Sequence, residues 1–348
     1  MDSQLVTLQE VDGTLAAQWQ QLEDVAQTRN PFYGHDYLRA AATWLPDAQA
    51  MQLLVGQDAG GLAWLIPLAP SRRLGKAPVV RGLRNRWPHV FFGHPLVAPG
   101  RERAAAAALL RHLSGRRGAH WLRLQDLGAE HAFTRALLEE VPATAVHVES
   151  YSRGFAVKRA EPTYLEGHSN LRRLQRQRRA FEKKTGEVIE LVDRSDDPSA
   201  LEEFMRLEAA GWKGRQGGAF LTHAYDAAFL REVGAGFRQR GMLRLWCLQS
   251  GGETLAMKLN LVAADTVFCY LIAYDENTAA LSPGLQLEVE NFQLFHADPT
   301  AQYMDSCAAP DNEFANRLYP ERRELLNVTI GDGVLGRAVT ALASFSRP

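Results

Sequence analysis

The chain is poor in the features that most directly announce a mechanism. Its 348 residues hold three cysteines, Cys247, Cys269 and Cys307, an odd number without metal-ligand spacing. That argues against a disulfide framework and fits a reducing compartment. No uninterrupted apolar run approaches the length of a membrane span. A glycine-rich Walker or dinucleotide fingerprint is missing, which argues against an ATPase or a Rossmann oxidoreductase. His89, His94, His120 and His296 make no His-x-x-x-His pair or Cys/His cluster, so no metal is expected. No serine stands in a Gly-x-Ser-x-Gly elbow. Charge of one sign is lacking as well. The 39 basic residues against 40 acidic ones give a formal charge of −1, so no global field calls for nucleic acid or anionic lipid. The opening MDSQLVTLQEVDG has no basic segment followed by an apolar one, so no signal peptide is expected and cytoplasmic residence is the default.

What is present is an ordinary globular composition, 46% apolar and 23% charged. In the first half, MQLLVG and GGLAWLIPLA around a glycine-rich turn predict a hairpin over residues 51–69. Residues 70–89 are basic, with Gly and Pro, and read as an irregular loop. HVFFGHPLV follows, then an alanine-rich helix over 101–115, a strand at 120–126, a helix at 129–141 and a strand in ATAVHVES. The first domain is expected to end near Tyr151. In the second half, helices are predicted at 170–186, 198–211, 224–240 and 284–297. Strands are predicted at EVIELV, MLRLWCLQ, TLAMKLNLVA, TVFCYLIAY and QYMDS. Strands in succession followed by a helix and a further strand mean α+β with a mixed sheet. Two domains follow, 1–151 and 152–348, related in element order.

One junction invites chemistry. In YDENTAALSPGLQL a polar turn runs through Ser282-Pro283-Gly284 straight into an apolar helical pattern. A helix start exposes unpaired N–H groups and the positive end of the helix dipole, a ready phosphate site. Ser282 can cap, Pro283 suits the first turn, and Gly284 lets a ligand approach the backbone. A plain helix cap is the blander reading of the same residues.

The ordered set of pieces PFYGHDYLRAAATW, WLIPL, FFGHPLV, NLRRLQRQRRAFEKKTG, LEAAGWKGRQGGAF, YDENTAALSPGLQL and MDSCAAPDNEFANRLYPERRE resembles the GNAT superfamily. Within it, the chain is similar to the cellulose-biosynthesis-associated (CelD/BcsL-like) acetyltransferase group, itself related to the tandem-domain Fem aminoacyltransferases. The resemblance implies two tandem GNAT-like domains, each a mixed, mostly antiparallel sheet flanked by helices. It also implies an acyl-CoA donor, acetyl-CoA or another, in the C-terminal domain, with its pyrophosphate at Ser282, Pro283, Gly284 and Leu285. The usual Gln/Arg-x-x-Gly-x-Gly/Ala signature is replaced by ALSPGLQL, with a single glycine.

Acyl transfer needs a neutral nucleophile, a polarised carbonyl and a route for the proton. Glu208, beside Gly211-Trp212-Lys213-Gly214, is the first candidate to accept that proton; a solvated helix position is its alternative. Asp275, at the end of an apolar strand, can orient an acceptor amine, act as base through water, or simply form an Asx-turn. Tyr274 can donate a proton to a leaving thiolate or merely pack. Trp212 and Lys213 can supply an apolar wall and a cation near the acceptor. Lys258 and Asn260 share one strand face opposite Met257 and Leu259. They contact substrate if that face lines the groove. Asp305 ends another short strand, with Arg317, Arg322 and Arg323 after it. The helix at 170–184 carries Arg172, Arg173, Arg176, Arg178, Arg179, Lys183 and Lys184 against one acid, Glu182, a pattern that attracts phosphate.

The expected activity is transfer of an acyl group from acyl-CoA to an amine or hydroxyl of a small-molecule acceptor, a saccharide or an amine. The acceptor would enter between the domains. One rival is a Fem-like transferase using aminoacyl-tRNA, the single setting in which nucleic acid is expected. The other is a non-catalytic, degenerate GNAT protein that binds a partner.

Overall fold

The computed structural model describes residues 2–115, 119–160 and 169–344. The chain divides into two compact units, one of residues 1–153 and 323–348, the other of residues 154–322. The chain leaves the first unit after Arg153 and returns to it at Arg323.

In the first unit the strands run in the order Asp2–Thr7, Gln52–Asp58, Gly61–Leu74, Ala77–Arg84, Trp121–Gly128 and Glu321–Gly331. The predicted hairpin over 51–69 is present, turned at Gly61 with φ +105°. Its second strand continues through residues read as loop and pairs with Ala77–Arg84 in another hairpin, turned at Gly75 with φ +58°. Basic residues are compatible with a strand face open to water, so charge was a poor signal for loop here. The helices Glu102–Gly115 and Ala132–Glu140 cover one sheet face. Leu109, Leu113, Leu122, Leu124, Phe133 and Leu137 are among the buried residues of that core.

Strand Glu321–Gly331 enters this unit at Arg323 and pairs antiparallel with Trp121–Gly128, from Leu325 opposite Gly128 to Gly331 opposite Trp121. Helix Gly333–Ala343 follows it.

The second unit is a mixed sheet flanked by helices. Its strands run in the order Val146–Val157 (by its last residues), Tyr303–Asp305, Thr266–Tyr274, Glu253–Ala263, Leu243–Ser250 and Ile189–Asp193. Every pair is antiparallel except Thr266–Tyr274 with Tyr303–Asp305, which is parallel. Helices Ala200–Ala210 and Ala224–Gln239 pack on the face presenting Met257, Leu259 and Leu245. Helix Pro283–Ala297 lies on the opposite face. Helix Ser169–Thr185 stops at Gly186, whose φ of +79° a side chain would resist.

Candidate functional site

The parallel strands of the second unit begin together and then part. Thr266 faces Tyr303, Val267 faces Met304 and Phe268 faces Asp305, after which the shorter strand ends. Its neighbour runs on to Tyr274, still bonded on its other edge to Glu253–Ala263 across a register shift between Leu259 and Leu261. The edge from Cys269 to Tyr274 is thus left without a paired strand on that side among the described residues, a gap in the pairing of the sheet. Unpaired backbone groups on such an edge can bond an extended chain.

The chain leaves the open end of that gap into the Ser282 junction. Asp275 caps the 3-10 turn Glu276–Leu281, accepting from Asn277 N and Asn277 Nδ2, each at 2.9 Å. This is the Asx-turn reading of Asp275. Ser282 stands in the left-handed region at φ 56° and ψ 54°, and its side chain makes no capping bond to helix Pro283–Ala297. Its carbonyl instead accepts from Leu285 N and Gln286 N, both at 3.0 Å. The expectation that the Ser282 hydroxyl caps is thereby corrected, because the left-handed backbone turns the residue away from the extended geometry of a side-chain cap. Gly284 has its own constraint: a Cβ there would lie 3.1 Å from the Tyr274 ring. The basic helix packs beside this junction. Gln177 Nε2 donates to Ala280 O at 2.8 Å, and Gln286 Nε2 donates to Leu174 O at 2.9 Å.

Four candidates meet at a second feature, a narrow cleft lined by Glu208, Trp212, Lys213, Tyr274 and Glu276. Glu208 is buried at the end of its helix and both carboxylate oxygens are engaged, one by Lys213 Nζ at 2.8 Å and one by Phe220 N at 3.0 Å. The glycines of the loop are structural. A Cβ on Gly214 would fall 1.8 Å from Ala209 O. Glu276, which sequence reasoning missed, pins the loop by accepting from Trp212 N and Arg215 Nη2, both at 2.6 Å. The Arg215 bond holds its carboxyl below the usual range against the opposing effect of burial, with the Trp212 N–H adding to the lowering.

Lys258 and Asn260 do lie on one face, opposite Met257 and Leu259, but that face meets helix Pro283–Ala297 rather than this cleft. Lys258 Nζ is 2.6 Å from Glu288 Oε2, and Asn260 Nδ2 donates to Asn291 Oδ1 at 2.6 Å, all four residues being buried. Tyr319, at the end of the short helix Glu313–Leu318, places its hydroxyl 2.9 Å from Glu288 Oε1 and 3.1 Å from Cys269 Sγ. Burial pushes the Cys269 thiol up to about 11 and the Tyr319 phenol well above its ordinary range. For Lys258 burial acts the other way, yet Cys269 and Glu288 together raise it. Asp305 is buried at the point of splay and accepts from Cys307 N at 2.9 Å. The signal for this network was present: Glu288 and Asn291 sit inside an apolar helical pattern, where a buried acid requires a partner.

Comparison with known proteins gives this geometry a frame. Residues 168–314 match the acetyltransferase (GNAT) domain family. That segment contains the splayed strands, the junction and the cleft, and its mixed sheet flanked by helices is the GNAT fold. Among solved structures, FemX is similar at TM-score 0.58 and 11% identity, over 94% of this chain and 97% of that one. A conserved protein of unknown function from Bacteroides thetaiotaomicron VPI-5482 is similar at TM-score 0.55 and 12% identity, over 91% and 97%. The C-terminal DUF2156 domain of a candidate lysylphosphatidylglycerol synthetase from Agrobacterium fabrum is similar at TM-score 0.55 and 11% identity, over 95% of this chain and 94% of that one. At these identities the likeness is one of fold. Curated proteins gave no match. Among the described residues no cluster of three or more His, Cys, Asp or Glu could hold a metal ion, and no helix is long and apolar enough to cross a membrane.

The N-terminal unit has a parallel pair of its own, in which Leu83 faces Leu122 and Arg84 faces Arg123. Here the space beyond the pair is filled by the chain itself. Asn85 Nδ2 donates to Gly93 O at 2.8 Å, Gln125 N donates to Asn85 Oδ1 at 2.9 Å, and Gly93 N donates to Asp126 O at 3.1 Å. A Cβ on Gly93 would lie 2.0 Å from Gln125 O.

Proposed function

We propose that the protein is an acyl-CoA-dependent acyltransferase whose donor site lies in the second unit, residues 154–322, and that the first, N-terminal unit is a second GNAT-like domain without a donor site. The observation that carries this reading is the gap beside Cys269–Tyr274 opening directly onto the start of helix Pro283–Ala297. An extended pantetheine arm can bond to the unpaired strand edge in that gap. Its phosphates then meet the first-turn amides at Ser282–Leu285, where the helix dipole favours negative charge. The filled gap in the N-terminal unit supports assigning a single donor site per chain.

The thioester supplies an activated carbonyl, and the acceptor amine or hydroxyl attacks it directly, without a covalent enzyme intermediate. Glu208 is the group assigned to take the acceptor proton, directly or through water. It can do so once Lys213 or Phe220 N yields one oxygen, which makes Lys213 a positioning residue. Trp212 provides the apolar wall, and Tyr274 the proton for the departing thiolate. Asp275 is committed to its turn, Lys258 and Asn260 to the buried network, and Asp305 to its bond from Cys307 N, so their contribution is to hold the strands and helix that frame the donor. The resemblance to the cellulose-biosynthesis-associated group supports a saccharide or amine acceptor.

The deciding experiment is calorimetric titration of the protein with acetyl-CoA and free CoA, beside the Gly284→Glu variant. Saturable binding lost in the variant supports the junction as the phosphate site; no binding by the folded wild type sinks the reading. A second reading, an aminoacyl-tRNA donor as in the Fem-like resemblance, is favoured by one observation. Arg172, Arg176, Arg179 and Lys183 recur at helical spacing on the basic helix and are all exposed. Competition of a tRNA with acetyl-CoA would bring it forward.

A further inference from the structure

Between Asp58 and Glu102 the sequence has no acidic residue, and the most basic part of that stretch forms the hairpin turned at Gly75. Beside the hairpin lies a cavity of about 440 Å³ lined by Arg72, Arg73, Arg84, Arg123, Gln125 and Asp47, among others. Arg72 and Arg73 are adjacent in a strand and would ordinarily point to opposite faces. A register shift between Ser71 and Arg73 breaks that alternation, which is how a bulge re-aims side chains, and both arginines line the one cavity.

The charges there do not balance. Arg84 pairs with Asp47 at 2.8 Å and Arg123 with Glu149 at 2.7 Å. Arg72 and Arg73 are exposed and have no ion-pair partner among the described residues. The buried Nε of Arg84 likewise has no hydrogen-bond partner among them. Two uncompensated guanidiniums over a polar floor call for a dianion, and the planar fork of arginine matches phosphate oxygens two at a time. A nucleic-acid strand is a poorer fit, because base stacking needs an open aromatic face. Trp121, the aromatic residue of the lining, is buried with its Nε1 donated to Val80 O at 2.6 Å.

We infer that this cavity of the N-terminal unit binds a small molecule through a phosphate or diphosphate group, held by Arg72 and Arg73 with Arg84 and Arg123 beneath. The volume suits a ligand larger than the anion alone. The site is independent of the acyl-donor reading.

Inorganic diphosphate is the probe, titrated calorimetrically into the full chain, with malonate as a dicarboxylate control. Wild type binds diphosphate saturably and more tightly than malonate. The double variant Arg72→Ala/Arg73→Ala, altered at two exposed positions, loses about tenfold or more of the affinity, as removal of charge-assisted bonds implies. Arg84→Gln weakens binding too, whereas Gly284→Glu leaves unchanged the part of the binding that Arg72→Ala/Arg73→Ala removes. Three results would each overturn the inference: no saturable binding, equal binding by wild type and double variant, or malonate bound as tightly as diphosphate. Loss in Gly284→Glu alone would move the diphosphate to the C-terminal junction and overturn it as well.

Discussion

Lys258 and Glu288 form a 2.6 Å ion pair in which both side chains are buried, joining the strand Glu253–Ala263 to the helix Pro283–Ala297. Two charges held out of water are tolerable only together. Removing one leaves the other uncompensated, at a cost of about 3–5 kcal/mol, while replacing both by apolar residues of similar volume is often near neutral. Glu288→Gln and Lys258→Met should therefore each lower the urea midpoint strongly, and Lys258→Met/Glu288→Leu should recover most of the loss. A double variant as unstable as the sum of the singles would mean the pair is not acting as a unit.

The neighbouring thiol gives a pH dependence with a definite sign. Burial moves the Cys269 pKa from an ordinary 9.0 to about 11. Between those values the unfolded chain binds fewer protons at this site than the folded one, so stability falls as pH rises from 9 to 11. Urea unfolding in steps across that range should show the decline, and Cys269→Ala should flatten it. Tyr319, also raised by burial, adds a further fall at higher pH in both proteins. An identical slope with and without Cys269 would refute the assignment.

Glu208 and Asp275 should separate under mutation. Glu208→Gln is expected to lower kcat by about a hundredfold or more, the usual scale of general-base catalysis, with acetyl-CoA affinity kept. Asp275→Ala should cost about 1 kcal/mol in stability as a lost cap and change kcat far less. Steady-state kinetics with an identified acceptor, beside thermal unfolding of both variants, reads the contrast. A larger kcat loss at Asp275 than at Glu208 would exchange their roles.

The positions at which sequence reading succeeded and failed have physical explanations. The hairpin at 51–69 and the three strands from Leu243 to Tyr274 show because apolar runs are punctuated by turn residues, as at Gly251-Gly252. Glu208, Trp212, Lys213 and Tyr274 do converge on one cleft. Lys258 and Asn260 were placed on the correct shared face, but alternation cannot say what covers it, and the cover is a helix carrying Glu288 and Asn291. The hairpin after Leu68 was hidden by its charge. The return of residues 323–348 to the first unit was hidden too, since a strand's own sequence does not name its distant partner. That the Ser282 side chain makes no cap is not legible in the sequence, because its left-handed φ leaves no trace in composition.

The filled gap of the N-terminal unit makes a stoichiometric prediction. If Asn85 and Gly93 occupy the space beside Gln125, the chain should bind one equivalent of acetyl-CoA, not two. Gly93→Ala would drive a methyl group to 2.0 Å from Gln125 O, a backbone atom that cannot step aside, so about 3 kcal/mol or more of destabilisation is expected. Asn85→Ala removes the side-chain bonds to Gly93 and Gln125 and should speed hydrogen exchange at the Gln125 amide, whose acceptor is the Asn85 carboxamide oxygen. Neither change touches the residues assigned to the donor. Two equivalents of acetyl-CoA on the wild-type protein, or ordinary stability in Gly93→Ala, would show that this segment gives way to a ligand and that the N-terminal unit takes a donor after all.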